Sequence, residues 1–143
     1  MTVRVERTMT VAASPEAVWE FIGDPDQRAR PISVVQDWDV HDADHVTWHV
    51  RLPIPVIDRT IAIETEDVER REPEYVRFVG RSKVLRVQGE QELEPTGDGG
   101  TRVTNRFVVD GKLPGIERFF KRNLDDELQN LEAALTEYLE VEA

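Results

Sequence analysis

Apolar and polar residues alternate along most of the chain, and this two-residue period predicts β-strands. The first run spans residues 2–12, with Val3, Val5, Met9 and Val11 on one face. Later runs at residues 74–82, 84–94 and 101–110 have the same period and are separated by turn-forming residues. The pattern therefore predicts a sheet with one apolar face.

Residues 31–53 contain two further runs that meet at the turn Asp42-Ala43-Asp44. A hairpin symmetric about Ala43 places Trp38 opposite Trp48 and Gln36 opposite Val50. In this register the apolar residues collect on one face, where Gln36 is the single polar member, and the Asp, Thr and His side chains collect on the other. This clean separation of faces favours the hairpin.

After a loop with Pro53 and Pro55, alternation resumes at Ile57 and continues to Glu66. It predicts a long strand over residues 57–66 that carries Arg59 on its apolar face. In the later runs, Gln91 and Asn105 also fall on apolar faces, beside inward residues such as Phe107.

Two segments have the three-to-four-residue spacing of helices. A short helix begins after Ser14, a good N-cap, with Pro15 in its first turn, and ends at Gly23. A long amphipathic helix runs from about residue 114 to 140 and includes Phe120 and Leu124 in its apolar stripe. We expect Trp19 and Phe21 of the short helix to close one end of the core, and residues 24–32 to fold back as a flap.

The order strand, short helix, about six strands and long helix predicts an α+β fold in a single domain, residues 1–143. Its antiparallel sheet of about six to seven strands wraps around the long C-terminal helix. A twisted sheet does not close fully on one helix, so we expect a cavity between them.

The composition excludes several classes of protein. A net charge of −11 and an isoelectric point near 4.7 disfavour binding to nucleic acid or to an anionic membrane surface. The chain has no Cys, no apolar span of about 20 residues and no signal-peptide pattern, which indicates a cytoplasmic protein without stable membrane insertion. Abundant carboxylates with few Lys fit an acidic, soluble surface or a high-salt host.

No catalytic or metal-binding motif emerges from the residues. His41, His45 and His49 are spaced for a helix, but on a strand His45 and His49 lie roughly 13 Å apart, too far to share a metal. Ser14 is explained by capping, and the glycines at 97–100 lead from strand to strand, as in a hairpin turn. We predict no metal and no cofactor.

The stretches SPEAVWEFIGDPD, GDGGTRVTNRF and LPGIERFFKRNLDDELQNLEAAL, in this order of elements, resemble the START-like (SRPBCC) superfamily with the helix-grip fold. Within it, the chain is most similar to the small polyketide cyclase/dehydrase and coenzyme-Q-binding groups. The resemblance covers essentially the whole chain. It implies a binder of a hydrophobic or aromatic small molecule, such as a lipid, quinone or polyketide, in the cavity between sheet and helix.

For such a cavity we predict an aromatic and apolar wall together with polar residues that orient the ligand. The candidate ligand-binding residues are Trp38, Trp48, Gln36, Arg59, Gln91, Asn105, Phe107, Phe120 and Leu124. The polar members can equally be satisfied within the protein, and the two Trp residues can equally be ordinary core.

Two other functions stay open beside non-catalytic binding. One is a polyketide cyclase/dehydrase-like enzyme in which Arg59 polarises a carbonyl; the lack of any His or clear acid at an inward position argues against it. The other is a protein-interaction module that uses the cations at residues 77–86 and 102–122 to contact an acidic partner. These cations can also simply pair with surface carboxylates, and the oligomeric state does not follow from the sequence.

Overall fold

The computed structural model describes residues 2–54, 59–113 and 115–142. Its elements, in chain order, are β1 (Thr2–Val11), α1 (Pro15–Ile22), α2 (Pro25–Ala29), β2 (Val35–Val40), β3 (His45–Val50), β4 (Ile61–Arg71), β5 (Tyr75–Arg81), β6 (Leu85–Pro95), β7 (Thr101–Gly111) and α3 (Ile116–Glu142).

The strands form one seven-stranded antiparallel sheet in the order β1-β7-β6-β5-β4-β3-β2. Helix α3 has 27 residues, about 40 Å at 1.5 Å per residue, and its apolar stripe packs on the inner face of the sheet. The buried members of that stripe follow steps of three and four: Ile116, Phe120, Leu124, Leu128, Leu131 and Leu135. The predicted fold class is confirmed.

The hairpin of β2 and β3 keeps the predicted register near the turn and loses it further away. Trp38 pairs with Trp48, as predicted, but a β-bulge between Val35 and Asp37 makes Val35 the partner of Val50. A bulge adds one residue to one strand, so it reverses the faces beyond it. The prediction that Gln36 points inward is therefore wrong, and the residue is exposed.

Strand β4 begins later than the alternation predicts and ends later too. Its first residue is Ile61 and its last is Arg71, since pairing with β5 extends it beyond residue 66. Arg59 lies in a bend before the strand and is exposed, so its predicted place on the inner face of a strand is wrong. The predicted start at Ile57, like the predicted helix start at Pro114, lies outside the described residues.

Helices α1 and α2 cover one end of the sheet. Ser14 caps α1 by accepting the Ala17 amide at 3.2 Å, as predicted. Trp19 and Phe21 are buried as core, as predicted. The segment predicted to fold back as a flap contains the short helix α2.

Arg7 connects α3 to the sheet through hydrogen bonds to two acids. Arg7, on the inner face of β1, donates from Nε to Glu132 Oε1 at 2.7 Å and from Nη1 to Asp125 Oδ1 at 3.1 Å. Both acids lie on α3, and their hydrogen bonds raise the pKa of the Arg7 guanidinium. The edge strand β1 is thus attached directly to the helix that covers the sheet.

Candidate functional site

An apolar cavity lies between α3 and the inner face of the sheet. Its volume is about 40 Å³. At roughly 10–15 Å³ for each water molecule, this is space for about three. Fifteen of the described residues line it: Ile32, Val34, Val35, Trp48, Val50, Ile63, Leu85, Val87, Phe107, Val109, Phe120, Leu124, Glu127, Leu128 and Leu131. With so few polar groups, a void of this kind is expected to stay dry.

Three parts of the chain build this cavity. Alternate residues of β3, β4, β6 and β7 point inward because of the two-residue period of a strand. Helix α3 supplies one side with residues spaced three and four apart. The connection from α2 to β2, residues 32–35, covers the remaining side.

Glu127 is the one charged side chain among the described lining residues. Only 7% of its surface is exposed. Its carboxylate accepts the Ser33 amide at 2.8 Å and the Ser33 hydroxyl at 2.5 Å. A third donor, Asn130 Nδ2, lies 3.4 Å from Oε1. The described residues give it no ion pair, so neutral donors alone hold this buried carboxylate.

Glu127 is not among the residues predicted for the site, although the spacing of α3 indicates its inward position. It follows Leu124 by three residues and precedes Leu131 by four, which places it in the apolar stripe of α3. The expectation that no acid occupies an inward position is therefore wrong. This expectation was the argument against an enzyme.

Four of the nine predicted binding residues are brought together at the cavity. Trp48 comes from β3, Phe107 from β7, and Phe120 and Leu124 from α3. These four were predicted from the inward faces of the strands and the apolar stripe of the helix. The smaller aliphatic lining residues follow the same periods.

Trp38 shares a face with Trp48 but lies outside the cavity lining. It belongs to the edge strand β2. Its indole Nε1 donates to Asp26 Oδ1 of α2 at 2.6 Å, and the Arg30 guanidinium lies 5.9 Å from its ring centre. Trp38 therefore contacts α2 and does not line the cavity.

Gln91 and Asn105 are buried, as their inward positions predict, but they do not line the cavity. They face each other across β6 and β7. Both polar atoms of the Gln91 side chain and Oδ1 of Asn105 have no hydrogen-bond partner among the residues described. Gln36 and Arg59, both exposed, also lie outside the lining.

Phe78 marks the end of the apolar region. Its ring contacts Trp48 and Phe107 edge-on, with centroids 5.4 Å and 5.7 Å away. A Cβ atom on Gly89 would come within 2.3 Å of this ring, so the absence of a side chain there lets Phe78 lie against the sheet. The Arg28 guanidinium lies 5.4 Å from the centre of the same ring.

A second buried carboxylate, that of Asp67, pairs with Arg28. Arg28 Nη2 donates to both oxygens of Asp67 at 2.9 Å, and Arg70 Nη1 donates to Oδ2 at 2.7 Å. Burial lowers the pKa of the Arg28 guanidinium, and the charge of Asp67 opposes that shift. Arg28 Nη1 is buried without a hydrogen-bond partner in the described part of the chain.

The three histidines have side-chain partners within the β2–β3 hairpin. His41 Nε2 lies 2.7 Å from Thr47 Oγ1, His45 Nδ1 2.9 Å from Asp42, and His49 Nε2 2.8 Å from Asp39. Within residues 2–54, 59–113 and 115–142, no three side chains of the metal-ligating types are placed to share an ion. None of the described helices is long and apolar enough to span a membrane.

The cations singled out in the sequence divide into two groups. Arg77, Arg102 and Arg106 pair with carboxylates of neighbouring residues in the sheet. The others are exposed and form no ion pair with another described residue: Arg81, Lys83, Arg86, Lys112, Arg118, Lys121 and Arg122. A backbone bond from Lys112 to Val84, 2.8 Å long, brings the loop before α3 beside the turn that carries Lys83.

This architecture, an antiparallel sheet around a long C-terminal helix with a cavity between them, is the START-like helix-grip fold. Solved structures with this fold align along nearly the whole chain. A START superfamily protein from Mycobacterium smegmatis has a TM-score of 0.78 at 16% identity and covers 98% of this chain and 99% of its own. A conserved protein from Geobacillus kaustophilus has a TM-score of 0.76 at 16% identity, covering 96% of each chain.

The Zhui aromatase/cyclase from Streptomyces sp. R1128 aligns with a TM-score of 0.70 at 16% identity, over 96% of this chain and 94% of its own. The family model for polyketide cyclase/dehydrase and lipid transport matches residues 2–136. The chain belongs to that family. No curated protein matches it by sequence.

Proposed function

We propose that this protein binds a small hydrophobic molecule in the cavity beneath α3 and acts as a carrier without chemical turnover. The observation that carries the proposal is the cavity lining, in which all the described residues except Glu127 are apolar or aromatic. An apolar ligand that enters this cavity leaves water and contacts apolar side chains, which lowers the free energy of the system.

The volume limits what the cavity holds without movement of its walls. At about 40 Å³, we expect it to admit roughly one small ring after slight adjustment. A lipid chain, a quinone or a polyketide would require displacement of the covering segment, residues 32–35. That segment is held to α3 by the two Ser33 hydrogen bonds to Glu127 and by its own apolar contacts.

The test is the binding of p-xylene, followed by amide chemical shifts in solution. We expect saturable shifts at residues around the cavity, such as Val87 and Leu128. Val109→Phe, which places a ring inside the cavity, should abolish them. Val108→Phe is the matched control, because the neighbouring side chain points to the outer face of β7.

Mass spectrometry of the protein purified without added ligand supplies a second readout. We expect a copurified hydrophobic molecule that is absent from Val109→Phe and present in Val108→Phe. If p-xylene causes no saturable shift in the wild-type protein, or the two variants behave alike, the carrier proposal fails.

A second candidate is an enzyme similar to the polyketide cyclases, and the buried Glu127 favours it. A carboxylate in an apolar cavity is the kind of group that transfers protons in such reactions. Arg59 does not fit the role of polarising a carbonyl, since it is exposed and outside the cavity. This candidate requires that Glu127→Gln lowers turnover of a polyketide-like substrate by about 100-fold or more; equal turnover in both proteins would exclude it.

A further inference from the structure

The wall of the cavity combines a large apolar area with one strong hydrogen-bond acceptor. Among the described lining residues, Glu127 is the only one whose side chain carries an acceptor, since Trp48 offers a donor alone. A ligand that fills the cavity therefore meets hydrocarbon on nearly every side and a carboxylate at one point of α3.

We propose that the ligand is an apolar molecule with a hydrogen-bond donor at one end, such as a phenol or alcohol hydroxyl, and that Glu127 accepts this donor. The inference rests on the proposed binding function and specifies its ligand class.

The carboxylate has acceptor capacity left for a ligand. An ionised carboxylate offers about four lone-pair sites. Ser33 uses two of them, and Asn130 approaches a third at 3.4 Å. A buried charge held only by neutral donors gains from each further donor, because the apolar side chains around it supply none.

The same carboxylate selects against other ligands of equal shape. An anionic ligand would bring a second negative charge into a region of low dielectric, where like charges repel strongly. A pure hydrocarbon fits the walls but leaves the remaining acceptor site unused. The expected specificity is thus donor over anion, with the hydrocarbon body common to both.

Three probes of one shape test this: p-cresol carries a donor, p-xylene has neither donor nor charge, and p-toluate is an anion. In the wild-type protein we expect p-cresol to bind at least as tightly as p-xylene, and p-toluate not to bind. In Glu127→Leu, the affinity for p-cresol should fall by about tenfold or more, since the p-cresol hydroxyl is then buried without a partner. The affinity for p-xylene should change by less than about threefold.

Glu127→Gln provides a second test, in which binding of p-toluate is gained. This test remains valid even if Glu127→Leu does not fold. The amide has the shape of the carboxylate but also donates, so we expect it to admit p-toluate. Asp126→Asn is the matched control, since this neighbouring acid on α3 is exposed, and it should keep the wild-type pattern.

The outcomes separate the two proposals. If p-xylene binds but p-cresol binds more weakly in the wild type, or Glu127→Gln still excludes p-toluate, the donor specificity is wrong and the carrier function stands. If no probe binds the wild-type protein, both proposals fail.

Discussion

Asp67 and Glu127 both have buried carboxylates, and their surroundings differ. Asp67, on β4, is held by the guanidinium groups of Arg28 and Arg70. Glu127, on α3, is held by Ser33 and approached by Asn130, without an ion pair among the described residues. The Asp67 carboxylate is thus paired with positive charge, whereas the Glu127 carboxylate borders the cavity.

The difference separates a structural acid from one available to a ligand. Removing one member of a buried, hydrogen-bonded ion pair costs stability because it leaves the other charge buried and unpaired. Removing the charge of a carboxylate that is held by neutral donors and borders an apolar cavity leaves no such unpaired ion. Such a carboxylate can interact with whatever occupies the cavity.

The largest expected effect comes from Asp67→Asn. The substitution keeps the shape but leaves Arg28, itself 7% exposed, as a buried cation without its counter-charge. We expect a loss of about 3–5 kcal/mol in the free energy of unfolding, measured by urea denaturation. Glu66→Gln, at the exposed neighbouring position, is the control and should stay within about 0.5 kcal/mol. Equal, small losses would show that Asp67 is not structural.

A smaller effect is expected from Glu127→Gln in the same assay. The amide oxygen still accepts the Ser33 amide, and Ser33 is exposed, so water can replace the remaining contact. We expect a loss below about 1 kcal/mol. A loss as large as that of Asp67→Asn would mean that both carboxylates are structural, which would contradict the distinction between Asp67 and Glu127.

The smallest effect concerns an exposed pair, Asp42 and His45. Their mutual hydrogen bond raises the pKa of His45 and lowers that of Asp42. The His45 contribution is fully present below the unfolded-state pKa of about 6.5 and is lost as pH rises through the higher folded-state value. We therefore expect His45→Gln to lower the melting temperature slightly at pH 5 and to leave it unchanged at pH 9. An equal change at both pH values would contradict this.

The sequence predicts most of the fold because its periods are long and clean. Pairing of Trp38 with Trp48 followed from the separation of faces, and the stripe of α3 from its three-to-four-residue steps. The failures have local causes: a bulge reverses the faces at Gln36, and the alternation through Arg59 continues outside a strand. A period reports which face a residue takes if a strand forms, but not where pairing begins.

The candidate site could be predicted only in part. Inward position is a necessary condition for lining the cavity, so Trp48, Phe107, Phe120 and Leu124 were found. An inward position is not sufficient, because neither Trp38, on the edge strand β2, nor the buried Gln91 lines the cavity. Glu127 was not predicted because acids on an amphipathic helix usually face solvent, and only its spacing from Leu124 and Leu131 sets it apart from the other acids of α3.

The most direct test of binding beneath α3 is a crystal structure of the protein soaked with p-cresol. We expect the ring between Phe107 and Leu124, with its hydroxyl oxygen at hydrogen-bond distance from the Glu127 carboxylate, roughly 2.5–2.7 Å. A ring found only on the surface, or an unchanged cavity at saturating p-cresol, would contradict the account.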